Sequence, residues 1–119
     1  MEEKLQSLIR EVKTKLDEAN MYQAQSLLRK AVKDYPCAES FNNLGVFYAF
    51  EGRYDRNENR YNAYFRAERV LKQALSKSFL PSAELALGYL YFTRKRYKKA
   101  VRCYQKAYCE NRDFSTAYN

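Results

Sequence analysis

The chain has no histidine, two prolines, three glycines and three cysteines in 119 residues. Each shortage excludes something. Without histidine there is no imidazole for acid–base work near neutral pH or for the commonest metal sites. Three scattered glycines cannot build a phosphate-cradling loop, and so few helix breakers point to a helix-rich chain. Cys103 and Cys109 stand six apart with no neighbouring ligand, which fits no zinc spacing, and with Cys37 the count is odd, against a disulfide framework. The three are expected as small buried or half-buried thiols. No apolar run approaches the roughly 18 residues of a membrane span, and Met1-Glu2-Glu3-Lys4 lacks the basic-then-apolar layout of a signal peptide. The expected setting is the cytoplasm, away from membranes. Catalysis, cofactors and metals are not expected; lone carboxylates such as Glu84 and Asp113 could do chemistry only in a pocket that the sequence does not reveal.

What is present is a hydrophobic content of 46% with 30% charged residues, enough for one compact domain with a real core. The charge is uneven. Residues 1–50 hold seven basic and seven acidic side chains, whereas residues 51–119 hold fifteen and seven, so the net +8 sits entirely in the second part. Such asymmetry favours an anionic partner.

Hydrophobic spacing resolves six helices. Leu5, Leu8, Ile9, Val12 and Leu16 recur at three and four along the first. Asn20 can cap a second, with a buried stripe of Ala24, Leu27, Leu28, Ala31 and Val32 and a stop at Pro36. The third runs from about Ala38 to Glu51 and is expected to close at a left-handed Gly52. Asp55 and Glu58 spell a capping box, so a long fourth helix can begin there and continue to about Lys77. Pro81 opens the fifth, to about Thr93. The sixth, Tyr97 to Glu110, is expected to bury Tyr97, Ala100, Val101, Tyr104, Ala107 and Tyr108, with Lys98, Lys99, Arg102 and Lys106 opposite.

One phrase occurs twice: Phe41-Asn-Asn-Leu44-Gly45-Val-Phe-Tyr48, and Glu84-Leu-Ala-Leu87-Gly88-Tyr-Leu-Tyr91. With Ala100, Tyr104 and Ala107 after the second copy, Ala67, Leu71 and Ala74 after the first, and Ala24, Leu28, Ala31 and Pro36 earlier, the chain resembles the tetratricopeptide repeat family. Departures are Glu84 in an aromatic slot and Arg112 in the closing proline slot. The resemblance implies an all-α, right-handed α-α superhelix of three helical hairpins. Its units are about 3–36, 37–80 and 81–113, and 114–119 start an unfinished further repeat. It also implies that Gly45 and Gly88 are packing residues where two helices cross closely. Leu44 to Leu87 spans 43 residues against a family period of about 34, so the second hairpin is elongated, with the excess between Gly52 and Tyr64. Asn43 to Gly52 is also similar to the opening of the longer Sel1-like repeats.

By register, the resemblance implies a concave groove showing Asn42, Asn43, Val46, Ala49 and Phe50, then Ser82, Leu85, Ala86, Tyr89 and Phe92. An apolar, aromatic lining with two amides suits a protein or peptide segment. Family members that grip a chaperone's terminal carboxylate use Lys, Asn and Arg at set positions; only Asn43 matches, Ser82 and Ala86 standing where cations are needed. Nucleic acid is the alternative partner. Arg94, Lys95, Arg96, Lys98, Lys99, Arg102 and Lys106 form a run without an acid, and Arg53, Arg56, Arg60, Arg66 and Arg69 a Tyr-interleaved strip. A solvated outer helix face is the plainer account of both. Self-association into a homo-oligomer through the unfinished C-terminal face is a third expectation.

Overall fold

The computed structural model describes residues 2–54 and 60–110, and among them every regular element is an α-helix. In chain order these are α1 (Glu2–Asp17), α2 (Met21–Asp34), α3 (Ala38–Tyr54), α4 (Arg60–Lys77), α5 (Pro81–Thr93) and α6 (Tyr97–Glu110). None is long and apolar enough to cross a membrane. The helix ends follow from local chemistry. Asn20 caps α2, its side-chain oxygen accepting the Gln23 N–H at 3.2 Å. Ahead of Pro36, Tyr35 leaves helical geometry at φ −133° and ψ 65°. The turn into α3 is closed by the buried Ser40 hydroxyl, which donates to the Tyr35 carbonyl at 2.8 Å and accepts the Cys37 N–H at 3.1 Å.

Left-handed closing residues do occur, but neither is glycine. Ala19 (φ 58°) and Lys95 (φ 62°) end α1 and α5, and the next residues' N–H groups reach back to Lys15 and Tyr91 carbonyls at 2.7 and 2.9 Å. Gly52 corrects its expectation: α3 runs through it to Tyr54, and no described glycine has a positive φ. A helical glycine costs about 1 kcal/mol, which is small beside the long face that α3 buries on α4. The capping box at Asp55 and Glu58, Asp113 and the expected repeat opening at 114–119 all lie outside the described residues.

Consecutive helices pack in pairs: α1 on α2, α3 on α4, α5 on α6. The pairs join through α2 with α3, α4 with α5, and α3 with α5. One core runs through all of them, with Val12, Leu28, Leu44, Phe47, Leu71, Leu87 and Leu90 among its members. The two glycines of the repeated phrase do the same work in two pairs. A Cβ on Gly45 would lie 2.6 Å from Leu71 Cγ in α4, and one on Gly88 would lie 2.5 Å from Tyr104 Cε1 in α6. Bare backbone lets the helices approach to where a methyl group would clash.

The buried face of α6 differs from its expectation. Ala100, Cys103 and Ala107 are buried, whereas Tyr97, Val101, Tyr104 and Tyr108 are at the surface, Tyr108 with 65% exposure. Small residues bring α6 close to α5 along a narrow line. The wider apolar arc beside that line stays at the surface.

Candidate functional site

An open groove of about 500 Å³ lies between the first three helices. From α1 it takes Ile9, Val12 and Leu16, from α2 Met21 and Leu28, and from α3 Asn43, Val46, Phe47 and Phe50. Val46 is 43% exposed and Phe50 48%, while Val12, Leu28 and Phe47 form the buried floor. Lys13 is the one charged side chain among the described residues of the lining. The arrangement offers apolar anchoring area with a cation at its edge.

Of the groove residues expected from sequence, Asn43, Val46 and Phe50 come together here. The others do not. Asn42 is buried and its Nδ2 donates to Ser82 Oγ at 3.0 Å, which spends both side chains on joining α3 to α5. Ala49 is buried in the core; Ala86 and Tyr89 are partly buried and packed against it. Leu85 and Phe92 are exposed but outside this groove, the Phe92 ring meeting Tyr97 edge-on at 5.6 Å between centroids. Sequence reasoning missed Ile9, Leu16 and Met21. A signal existed: the stripe of α1 is wider than one helix neighbour can cover, so part of it had to face something else.

The basic run also divides. Lys95, Arg96, Lys98, Lys99, Arg102 and Lys106 are exposed, as are Arg66 and Arg69 on α4. The side chains of Arg53, Arg56 and Arg60 lie outside the described residues. Arg94 is a correction, because it is not available to an outside anion: its Nη2 pairs with Glu68 Oε1, and its guanidinium lies 5.2 Å from the Tyr91 ring centroid. Glu68 also takes Lys72 Nζ at 3.0 Å and the Tyr91 hydroxyl at 3.4 Å. Burial pushes the Glu68 carboxyl up, but hydrogen bonds and charge from Arg94 and Lys72 outweigh it and hold the carboxyl below its ordinary value. The same contact with Glu68, against some loss of hydration, lifts the Lys72 ammonium above its ordinary value. This cluster clips α4 to the end of α5.

A second cleft opens between α4, α5 and α6, as two adjoining cavities of about 500 and 300 Å³ that share Leu75, Glu84, Arg102 and Lys106. Lys72 and Lys99 line the smaller cavity, bringing three cations of the sequence run together with one from α4. Cys103 is buried at its base, its thiol pushed up to about 11 by burial and by the adjacent Glu84 carboxylate. It is a protonated, inert thiol near neutral pH. No group of three or more metal-ligating side chains occurs among the described residues. Neither a protein-family model nor a curated protein matches the chain.

Proposed function

We propose that the chain is a tetratricopeptide-like adaptor that holds an apolar segment of a partner protein between α1, α2 and α3. The observation that carries this is the groove itself, an accessible, almost wholly apolar surface with Val46 and Phe50 raised at its edge. Exposed apolar surface concentrated in a concavity is unfavourable for a chain that works alone, and it is the usual mark of a recognition site. The repeat assignment draws support from the paired roles of Gly45 with Leu71 and Gly88 with Tyr104, and from three consecutive helix pairs. In this reading the pairs stack with a right-handed turn, and the α1–α3 groove is the open end of the concave side. Lys13 selects a partner segment that carries a carboxylate beside its apolar anchors.

The test is capture of partner by the full chain against two sets of variants. Val46→Asp with Leu16→Asp places charge at two exposed positions of the groove, so helical circular dichroism is expected to stay unchanged while capture falls at least tenfold. Tyr89→Ala with Phe92→Ala lies outside the groove and is expected to retain capture. The reverse pattern would move the site to α5, and retention by both sets would remove the groove from the mechanism.

A further inference from the structure

The two copies of the repeated phrase differ at one telling position. Phe41 stands three residues before Leu44, and Glu84 three residues before Leu87. Phe41 packs against the core, with Lys77 Nζ above its ring at 5.3 Å from the centroid. In the other copy a carboxylate stands where that ring would be, and the α4–α5–α6 cleft is open around it.

Glu84 is only 7% exposed, yet it lines both cavities. Burying a carboxylate is unfavourable unless hydrogen-bond or charge partners answer it. Among the described residues no lysine or arginine lies within ion-pairing distance of Glu84. Its neighbour is the Cys103 thiol, a weak donor that leaves most of its acceptor capacity unused. Beside it the wall is apolar, from Leu75 and Phe79; at the mouth stand Arg102 and Lys106, neither in an ion pair among the described residues. By exposure, the order from floor to rim is buried acceptor, partly exposed apolar wall, exposed cation.

Most small ligands fail that order. A bare anion gains the rim but nothing from the floor, and a lysine or arginine side chain would meet the cations of the lining, Lys72, Lys99, Arg102 and Lys106, around the acid. What fits is a flat body edged with N–H donors and carrying an anionic tail. We propose that this cleft binds a nucleoside phosphate, with the base against Leu75 and Phe79, its N–H edge on the Glu84 carboxylate and its phosphate on Arg102 and Lys106. Guanine is the favoured base, because it presents two adjacent N–H donors that match both oxygens of one carboxylate. The same chemistry is offered by a free mononucleotide and by an unstacked base in a single strand, where flanking phosphates would track the exposed cations of α6. The site is separate from the α1–α3 groove and does not depend on it.

The experiment is calorimetric titration of the full chain at low salt with guanosine monophosphate, adenosine monophosphate and inorganic pyrophosphate, alongside anisotropy with labelled oligoguanylate and oligoadenylate. Guanosine monophosphate is expected to bind at least tenfold more tightly than the adenine nucleotide or pyrophosphate. Glu84→Gln keeps the shape but sets an amide donor against the base, and is expected to lose that tenfold preference. Arg102→Ala with Lys106→Ala is expected to weaken every phosphate ligand tenfold or more and to flatten the salt dependence. Glu84→Phe installs the ring of the first copy; it should melt no lower than the parent and bind no nucleotide, which separates loss of the site from loss of the fold. Oligoguanylate exceeding the mononucleotide assigns a strand as the source, and parity assigns the free nucleotide. No binding at millimolar nucleotide, or binding that is equal for all three ligands and indifferent to Glu84→Gln, would overturn the proposal.

Discussion

At Gly45 a methyl group has nowhere to go. The atom it would strike belongs to Leu71, which is completely buried, whereas the atom facing Gly88 belongs to Tyr104, which is 37% exposed and has room to swing. Alanine at either site gains up to about 1 kcal/mol of helix propensity. Overpacking against a locked side chain costs roughly 1–3 kcal/mol, so Gly45→Ala is expected to destabilise clearly while Gly88→Ala stays near neutral. Urea midpoints of the two variants measure this; equal losses would mean that Tyr104 is as fixed as Leu71. These two glycines were legible in sequence because the phrase around them is repeated. Arg94 was not. It stands in a basic run, and nothing in the order of residues says that Glu68, on another helix, would claim it.

The helix ends set by caps and proline stops were legible almost to the residue, because these act locally: Asn20, Pro36 and Pro81 each work within one turn. What failed was read over longer distances. Gly52 was assigned a local role that the α3–α4 contact overrides, and the exposed arc of α6 follows from how closely Ala100, Cys103 and Ala107 approach α5. The Glu68 clip between α4 and α5 belongs to this scale. Its carboxyl is held below the ordinary glutamate value in the folded chain, by hydrogen bonds and charge from Arg94 and Lys72. The folded state therefore binds that proton less readily than the unfolded chain, so the clip's contribution is full above about pH 4.3 and is lost as pH falls through the depressed value. Glu68→Gln is expected to cost on the order of 1–2 kcal/mol at neutral pH and to flatten the stability curve on the acid side. Urea midpoints collected from neutral pH downward test it; parallel curves for parent and variant would remove Glu68 from the acid response.

Across the whole molecule the helix pairs hold one another in sequence, with α1 attached chiefly through α2 and α6 chiefly through α5, while α3 and α4 share the broadest contact. Stability is expected to be graded accordingly. Amide hydrogen exchange should be slowest in α3 and α4 around Leu44 and Leu71, and at least about a hundredfold faster in α1; uniform protection would indicate a single cooperative unit. The grading also bears on the groove, since one wall of it is α1. The candidate sites were half legible for the same reason that the fold was: register along a helix names which residues share a face, but which faces meet across helices is decided by packing. The thiols show a practical side of that packing. Cys103 is sealed and held protonated, Cys37 is half-buried beside Ser40, and Cys109 faces solvent on the wall of the Glu84 cleft. The chain thus carries one exposed thiol, next to the site in question, where a fluorophore or spin label can be placed without changing a residue.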